Sequence, residues 1–592
     1  MNKLLRYWRQ SGVRADVKIW LSFLIIALVF SWPLVMKHTM ALGVDSFFHL
    51  HRFYDAAMQL KNHDWQYFIS LYGFNQSGRI VNAVYGPWFA YFNGLLLLLV
   101  KSWLYWQYWI NVIIVFTGLG IGYSTLRAVR IRRLYSVVGA LLLVSLMPGL
   151  SWFTNQAFMN VGALLLPLAV AVGLRMVTNH TQPINVWQMG AVVGFGMQIH
   201  MLSTVFMIVI LAFYAVPGVL LAGNKLRFLG QGVCAAIVAL LLSINVWLPL
   251  LTLERQNHLL RPFIEPQADS AANTIGLALN GSRGLSILAL ILIGLALTLL
   301  IYHVANRQKL PFVTWWTLLG GMIFMLMSTP WLPWRNIMAD PHNVLSMFQF
   351  PLRFAIPGMI LIIFGLFLWL NTMTWANHRA TELGLVLLGM LAFGPFFMAL
   401  PDKLATITPQ SDMTTLTAQV TQPVKLKDVR MAEQSSDLGE LIAIGTQIYP
   451  DYLPISDATQ QQLSSHDWFH KNGLDEFYRR DIVLHQLPQM HKSVQEGVLH
   501  VTWIGKKSQS VTVPVVKYQQ TRLKLNGKML PANQPLSEIG APIVQQRLGK
   551  NELLLWYNKP SWFGLSQLIP VFGWVFLMLL AFVKVGQRMY KN

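Results

Sequence analysis

Asp45, His49 and Arg52 lie in the run Asp45-Ser-Phe-Phe-His-Leu-His-Arg52 at intervals of four and then three residues. On a helix those intervals place a carboxylate, an imidazole and a guanidinium on one face. A carboxylate with an imidazole beside it can take the proton of an acceptor hydroxyl, or can ligate a divalent metal. The same face also fits a plain juxtamembrane helix, with Phe47, Phe48, Leu50 and Phe53 in the interface and the polar side wet. If a reaction at the membrane needs a carboxylate in the N-terminal half, scarcity nearly forces the choice. No Asp or Glu occurs from Trp65 to Leu253, and before that stretch stand only Asp16, Asp45, Asp55 and Asp64. A second candidate is Arg353 in Phe348-Gln-Phe-Pro-Leu-Arg-Phe354, at the mouth of an apolar run. An arginine there either snorkels to the interface or binds an anion such as a phosphate. Two further polar concentrations are Glu254, Arg255, His258 and Arg261, and Arg335, Asp340 and His342. His200, between two apolar runs, reads as a satisfied turn residue.

Those residues must be positioned by membrane helices. Of 592 residues, 54% are hydrophobic and 12% charged, with a formal charge of +21. A soluble chain of this size carries about a quarter charged residues. The basic residues sit mainly at the ends of apolar runs, as the positive-inside rule predicts, which argues against nucleic acid as a partner and for a lipid bilayer. With one cysteine, Cys234, no intrachain disulfide can form. Walker A, GxGxxG-plus-acid, HExxH and nucleophile-elbow motifs are all missing, which removes ATP-driven transport, dinucleotide chemistry and zinc proteolysis.

About thirteen runs approach the roughly 20 apolar residues that a spanning helix needs, among them 19–36, 86–101, 107–126, 228–251 and 562–583. Basic residues at both chain ends predict cytoplasmic termini. Two cytoplasmic ends require an even number of crossings, so 13–14 crossings are expected, with one run before residue 135 miscounted. Residues 1–400 then form a multi-helix membrane domain with an outer loop over 37–85. Residues 401–560 form an extracytoplasmic domain, β-rich at least in its second half, and 561–592 a last helix with a basic tail. Strands are expected at Val511–Pro514, Thr521–Gly527 and Glu552–Tyr557, with a tight turn at Asn526-Gly527.

With those segments in view, the chain resembles the bacterial YfhO-like membrane proteins of the broad GT-C class of glycosyltransferases. The likeness rests on Gly43-Val-Asp-Ser-Phe-Phe-His-Leu-His-Arg52, Tyr85-Gly-Pro-Trp-Phe-Ala-Tyr91, Phe348-Gln-Phe-Pro-Leu-Arg-Phe354, and the C-terminal Val513–Tyr518, Leu525–Lys528 and Leu553–Tyr557. The resemblance implies transfer of a sugar from a polyprenyl-phosphate carrier to a cell-envelope polymer or lipid on the outer face of the membrane. It gives Asp45 the role of catalytic base, and Arg353 that of contact to the carrier phosphate. His49 and Arg52 would help position donor or acceptor. The likeness departs in one respect: such loops often carry two neighbouring acids, and here the next acid is Asp55, a further binding candidate with Arg255 and His258 on the same outer side. No cofactor is certain, and a divalent metal is a possible one. Two other classes stay open on the sequence: an envelope-lipid transporter or flippase, and a non-enzymatic assembly scaffold. The acids standing in loops and the lack of repeat symmetry between the halves speak against the transporter.

Overall fold

A computed structural model gives the architecture. It describes residues 11–146, 151–260, 274–275, 285–306, 310–339, 343–373, 378–407, 424–445, 450–456, 474–484 and 490–591. The chain is mostly helical, and among the described residues nine helices are long and apolar enough to cross a membrane. The helices used below are α1 (Ser11–Lys37), α2 (Ser46–Asn62), α3 (Pro87–Val100), α4 (Trp103–Ala128), α5 (Arg133–Ser145), α6 (Leu166–Thr178), α7 (Val186–Ile199), α8 (Met201–Leu221), α9 (Lys225–Leu242), α10 (Ile244–Gln256), α11 (Ile287–Asn306), α12 (Phe312–Met327), α13 (Ala355–Thr372), α14 (His378–Ala405), α15 (Leu426–Gln434), α16 (Gly439–Ile444) and α17 (Phe563–Lys591). The apolar run 228–251, expected as one helix, is two. It breaks at Ser243, whose hydroxyl turns back to the Ala239 carbonyl at 2.7 Å.

The run at 86–101 forms one of several apolar helices shorter than the nine that are long enough to span. At about 1.5 Å per residue, the 14 residues of α3 reach about 21 Å, short of a 30 Å hydrocarbon core. The Gly86 carbonyl, before α3, accepts from Arg52 of α2. Just past its other end, Ser102 Oγ donates to the Glu433 carbonyl, and the Glu433 carboxylate accepts from Met40 N beyond the end of α1. So α3 packs along α2, with its C-terminal end near the end of α1. The two helices touch at Gly94, where a Cβ would lie 2.7 Å from Ala57 N. At the other end of α1, Asp16 meets Tyr123 and Arg133.

Near the C-terminus, seven short strands follow: β1 (His491–Gln495), β2 (Val498–Gly505), β3 (Gln509–Thr512), β4 (Thr521–Leu525), β5 (Lys528–Met529), β6 (Ile543–Gln546) and β7 (Gly549–Tyr557). They make an antiparallel sheet in the order β1-β2-β7-β4-β5 and a β3–β6 pair. Asn526 and Gly527 both take positive φ, 48° and 83°, the conformation that an Asn-Gly hairpin turn requires. β2 and β7 alternate inward and outward residues, so Leu499, Val501, Leu553 and Leu555 bury one face. That face shares a core with Tyr67, Phe68 and Ile80 from the loop after α2. Phe68 stacks on Tyr557 at 4.5 Å, and Val516 N bonds the Ser77 carbonyl at 2.7 Å. The C-terminal region and the first loop are therefore packed as one body.

That packing corrects the expectation for α2. An interfacial helix would leave its polar face wet, yet His49, His51, Arg52 and Asp55 are all buried. Gly445, after α16, sits against the Phe47 ring, and Gly439 against Tyr54, so the 424–445 segment roofs the helix.

Candidate functional site

Asp45 occupies the N-cap of α2, where Asp is favoured because its side chain usually accepts a first-turn N–H. Here the carboxylate makes no capping bond. The helix forgoes about 1 kcal/mol of capping, and the carboxylate is left for the recess beside it. The recess brings together residues from four regions. Asp45, Tyr85, His200, Arg353, Asp451 and Tyr452 all keep part of their surface accessible, while His49, Arg52 and Phe158 are packed behind them. Arg353 and Asp451 are the charges that act on Asp45. Burial, opposed by Arg353 and reinforced by Asp451, pushes the Asp45 carboxyl up to about 6.

Arg353 is fixed from below: Nη1 donates to the Phe348 carbonyl and to Gln349 Oε1, both at 2.9 Å, and the guanidinium lies over the Phe350 ring. Gln349 reaches it from a left-handed backbone, φ 59°. Among the described residues, no direct ion pair closes between Arg353 and Asp45, so the attraction acts across the recess. Arg52 is fully buried with no carboxylate against it. It donates to Asn82 Oδ1 at 3.1 Å and to the Gly86 carbonyl at 3.3 Å, and lies between the rings of Tyr85 (4.7 Å) and Phe158 (5.6 Å). Its Nη1 has no partner.

Two histidines flank Phe158, His49 at 5.2 Å and His200 at 5.1 Å between ring centres. Burial, with Arg52 beside it, holds the His49 imidazole well below its usual range. Burial and the two arginines push His200 down to about 3. His49 therefore changes role from the sequence expectation. It is 3% exposed, packed between the rings of Phe48, Phe53, Trp152 and Phe158. His200 comes into the cluster as well as capping α8, where it accepts from Ser203 N.

The remaining sequence candidates lie elsewhere. Asp55 is 1% exposed, and its oxygens accept from Tyr72 N (2.9 Å), Gly73 N (3.3 Å) and Gln59 Nε2 (2.7 Å). It holds the loop after α2 and has no face to offer a substrate. Arg255 and His258 are exposed, and neither is among the charges acting on Asp45. The His258 backbone matters instead: its carbonyl accepts Ile455 N at 2.9 Å, within a short antiparallel pairing that carries Asp451 and Tyr452 to the recess. Arg261, Asp340 and His342 fall outside the described residues. Asp451, Tyr452 and Tyr85 were not singled out from the sequence. Only the motif around Tyr85 gave a signal for any of them.

Among the described residues no three His, Cys, Asp or Glu side chains group to hold a metal ion. The recess has two carboxylates with guanidiniums close by, a donor set that suits an anion beside a base more than a divalent cation. No step below passes through a metal. No protein-family model matches the chain, and no curated protein matches it in sequence.

Proposed function

We propose that the chain is a membrane glycosyltransferase that moves a sugar from a polyprenyl-phosphate carrier to an acceptor of the cell envelope on the outer face. The observation that carries this is that Asp45 and Arg353, far apart in sequence, come within electrostatic reach of each other, both partly accessible and without an ion pair between them. A base that had simply paired with its arginine would have neither group free. A gap between them accommodates a reacting centre.

Arg353 holds the carrier phosphate as a charge-assisted contact. The acceptor hydroxyl oxygen attacks the anomeric carbon, and its proton passes to Asp45. The bond from the anomeric carbon to the phosphate oxygen breaks, and the electron pair leaves on the phosphate beside Arg353. The leaving group is good, so orientation and proton removal are the chief tasks. A carboxyl held near 6 is largely ionised at neutral pH yet basic enough to share a proton in the transition state.

The test is Asp45→Asn in cells deleted for the native chain, with envelope sugars read by mass spectrometry. The variant should lose transfer by about a hundredfold or more while accumulating to normal level in the membrane. Wild-type activity should climb with pH about a midpoint near 6. Transfer at the wild-type level in Asp45→Asn removes the base assignment.

A further inference from the structure

Tyr452 is held in a conformation its side chain does not favour. It is the third residue of a tight turn closed by Leu453 N on the Pro450 carbonyl at 3.2 Å, and its φ is +63°. Turns that need a positive φ there use glycine or asparagine, because a Cβ crowds the neighbouring carbonyl. A tyrosine persists in such a place only where its surroundings over-determine it, and strained residues of this kind concentrate at functional sites.

The surroundings here do so. Tyr452 N donates to the Leu260 carbonyl at 2.7 Å, and Ile455 N to His258 at 2.9 Å. Tyr518 Oη donates to the Tyr452 carbonyl at 3.0 Å. Arg79, fully buried between the rings of Phe74 and Tyr478, donates to the Asp451 carbonyl. The result aims two side chains at the recess. The Tyr452 ring meets Tyr85 edge-on at 5.9 Å, and the Asp451 carboxylate accepts no hydrogen bond from any described residue. A partly accessible carboxylate that accepts no hydrogen bond from a described residue, next to a half-buried tyrosine, is what hydroxyl groups and the C–H face of a sugar ring bind.

Resting on the glycosyltransferase reading, we infer that Asp451 and Tyr452 are the acceptor-positioning wall of this site. They are supplied by the C-terminal region and hold a polyhydroxylated acceptor with one hydroxyl above Asp45. The acceptor is thus a carbohydrate or polyol. Asp45 takes the proton, and Asp451 holds a neighbouring hydroxyl without exchanging one.

The experiment uses the full chain in cells lacking the native copy, comparing Asp451→Asn, Tyr452→Gly, Tyr452→Phe and Asp45→Asn. Three pools are read by mass spectrometry: envelope-bound sugar, carrier-linked sugar and free released sugar. Melting of each purified variant is followed by tryptophan fluorescence. Asp451→Asn and Tyr452→Gly should cut transfer roughly tenfold or more, the worth of a hydrogen bond to a charged group. Carrier-linked sugar should still be consumed, now with water as acceptor, so free sugar rises. Tyr452→Phe keeps the ring and loses only the phenol's hydrogen bond to Tyr85, so it should fall far less than Tyr452→Gly, and Asp45→Asn stops consumption and release together. In Tyr452→Gly relief of the strained φ offsets only part of the lost ring packing, so its melting point should fall modestly while transfer falls much further. Normal transfer in Asp451→Asn and Tyr452→Gly overturns the inference, as does loss of transfer that tracks a lowered melting point. Arrest of both transfer and donor consumption in well-folded Asp451→Asn also overturns it, since the residue would then serve donor or base. If deleting the chain changes no envelope sugar, the glycosyltransferase reading itself fails and this inference falls with it.

Discussion

Glu433 allows a quantitative test of how the C-terminal region is attached to the helices. It lies on α15 and is 1% exposed. Its Oε2 accepts from Met40 N at 3.0 Å, in the segment that leads from α1 to Asp45. Burial pushes its carboxyl up to about 8, against the smaller pull of the Met40 N–H, the Thr39 hydroxyl and Arg430. In the unfolded chain it titrates near 4.5. Below pH 4.5 both states are protonated and the group adds no pH dependence. Between 4.5 and 8 the unfolded chain ionises while the folded one stays protonated, so stability falls as pH rises, by about 1.4 kcal/mol per unit. Above 8 both are ionised and the loss is complete. The amide in Glu433→Gln keeps an oxygen for Met40 N and cannot ionise. The stability of Glu433→Gln relative to wild type should therefore climb by about 3 kcal/mol between pH 6 and pH 8. Tryptophan-fluorescence melting in detergent at pH 5, 6, 7 and 8 reads it, and in the difference between the two proteins every other titration cancels. Parallel wild-type and variant curves over that range would refute the reasoning.

Two further perturbations follow from the packing around α2. Gly94→Ala places a methyl 2.7 Å from Ala57 N and 3.0 Å from Ala56 C, backbone atoms that cannot swing aside. It should cost about 1–3 kcal/mol and lower the melting point, with envelope transfer reduced in proportion to the folded fraction. His51 accepts Phe74 N on Nδ1 at 2.8 Å, which leaves Nε2 to donate to the Gly445 carbonyl at 2.7 Å. His51→Phe orphans both groups and should cost about 2–5 kcal/mol at pH 7. Burial holds this imidazole down at about 4, so its contribution is fully present above pH 6.5 and is lost as pH falls through 4. Melting curves between pH 4 and 7 should show that acid loss in wild type and not in His51→Phe.

The sequence carried the local features and missed those that depend on the assembled chain. The i, i+4, i+7 spacing of Asp45, His49 and Arg52 was visible because α2 is a helix, and scarcity of acids pointed to Asp45. Arg353 was visible as a cation at the start of an apolar run, and the strands at 511, 521 and 552 through alternation and the Asn-Gly turn. Burial of α2 was not readable, because its roof is the distant 424–445 segment, and no periodicity reports a partner so far along the chain. Asp55 drew attention as an acid, but its lone pairs are filled by backbone N–H groups of a loop whose path is set by the sheet. Asp451 and Tyr452 depended on a backbone pairing with 258–260 that has no sequence signature. The run at 86–101 was legible as an apolar helix, and only its short length hinted that it lies along α2.

Burial first, and the arginines without close carboxylate partners second, explain why the recess leaves proton transfer to a carboxylate and not to an imidazole. Arg52 is desolvated and held between two aromatic rings, and its positive field falls on His49 and His200 as well as on the cavity. Both imidazoles are kept neutral and are poor proton acceptors at neutral pH. Asp45 is treated differently by the same surroundings. Burial raises its carboxyl while Arg353 limits the rise, leaving it near 6, where a general base is most effective around neutral pH. A carboxylate paired directly with Arg353 would be too weak a base, and one buried without it would stay protonated. The separation between Asp45 and Arg353 thus does two things. It sets the basicity of the one, and it leaves the other with a face to offer an anion.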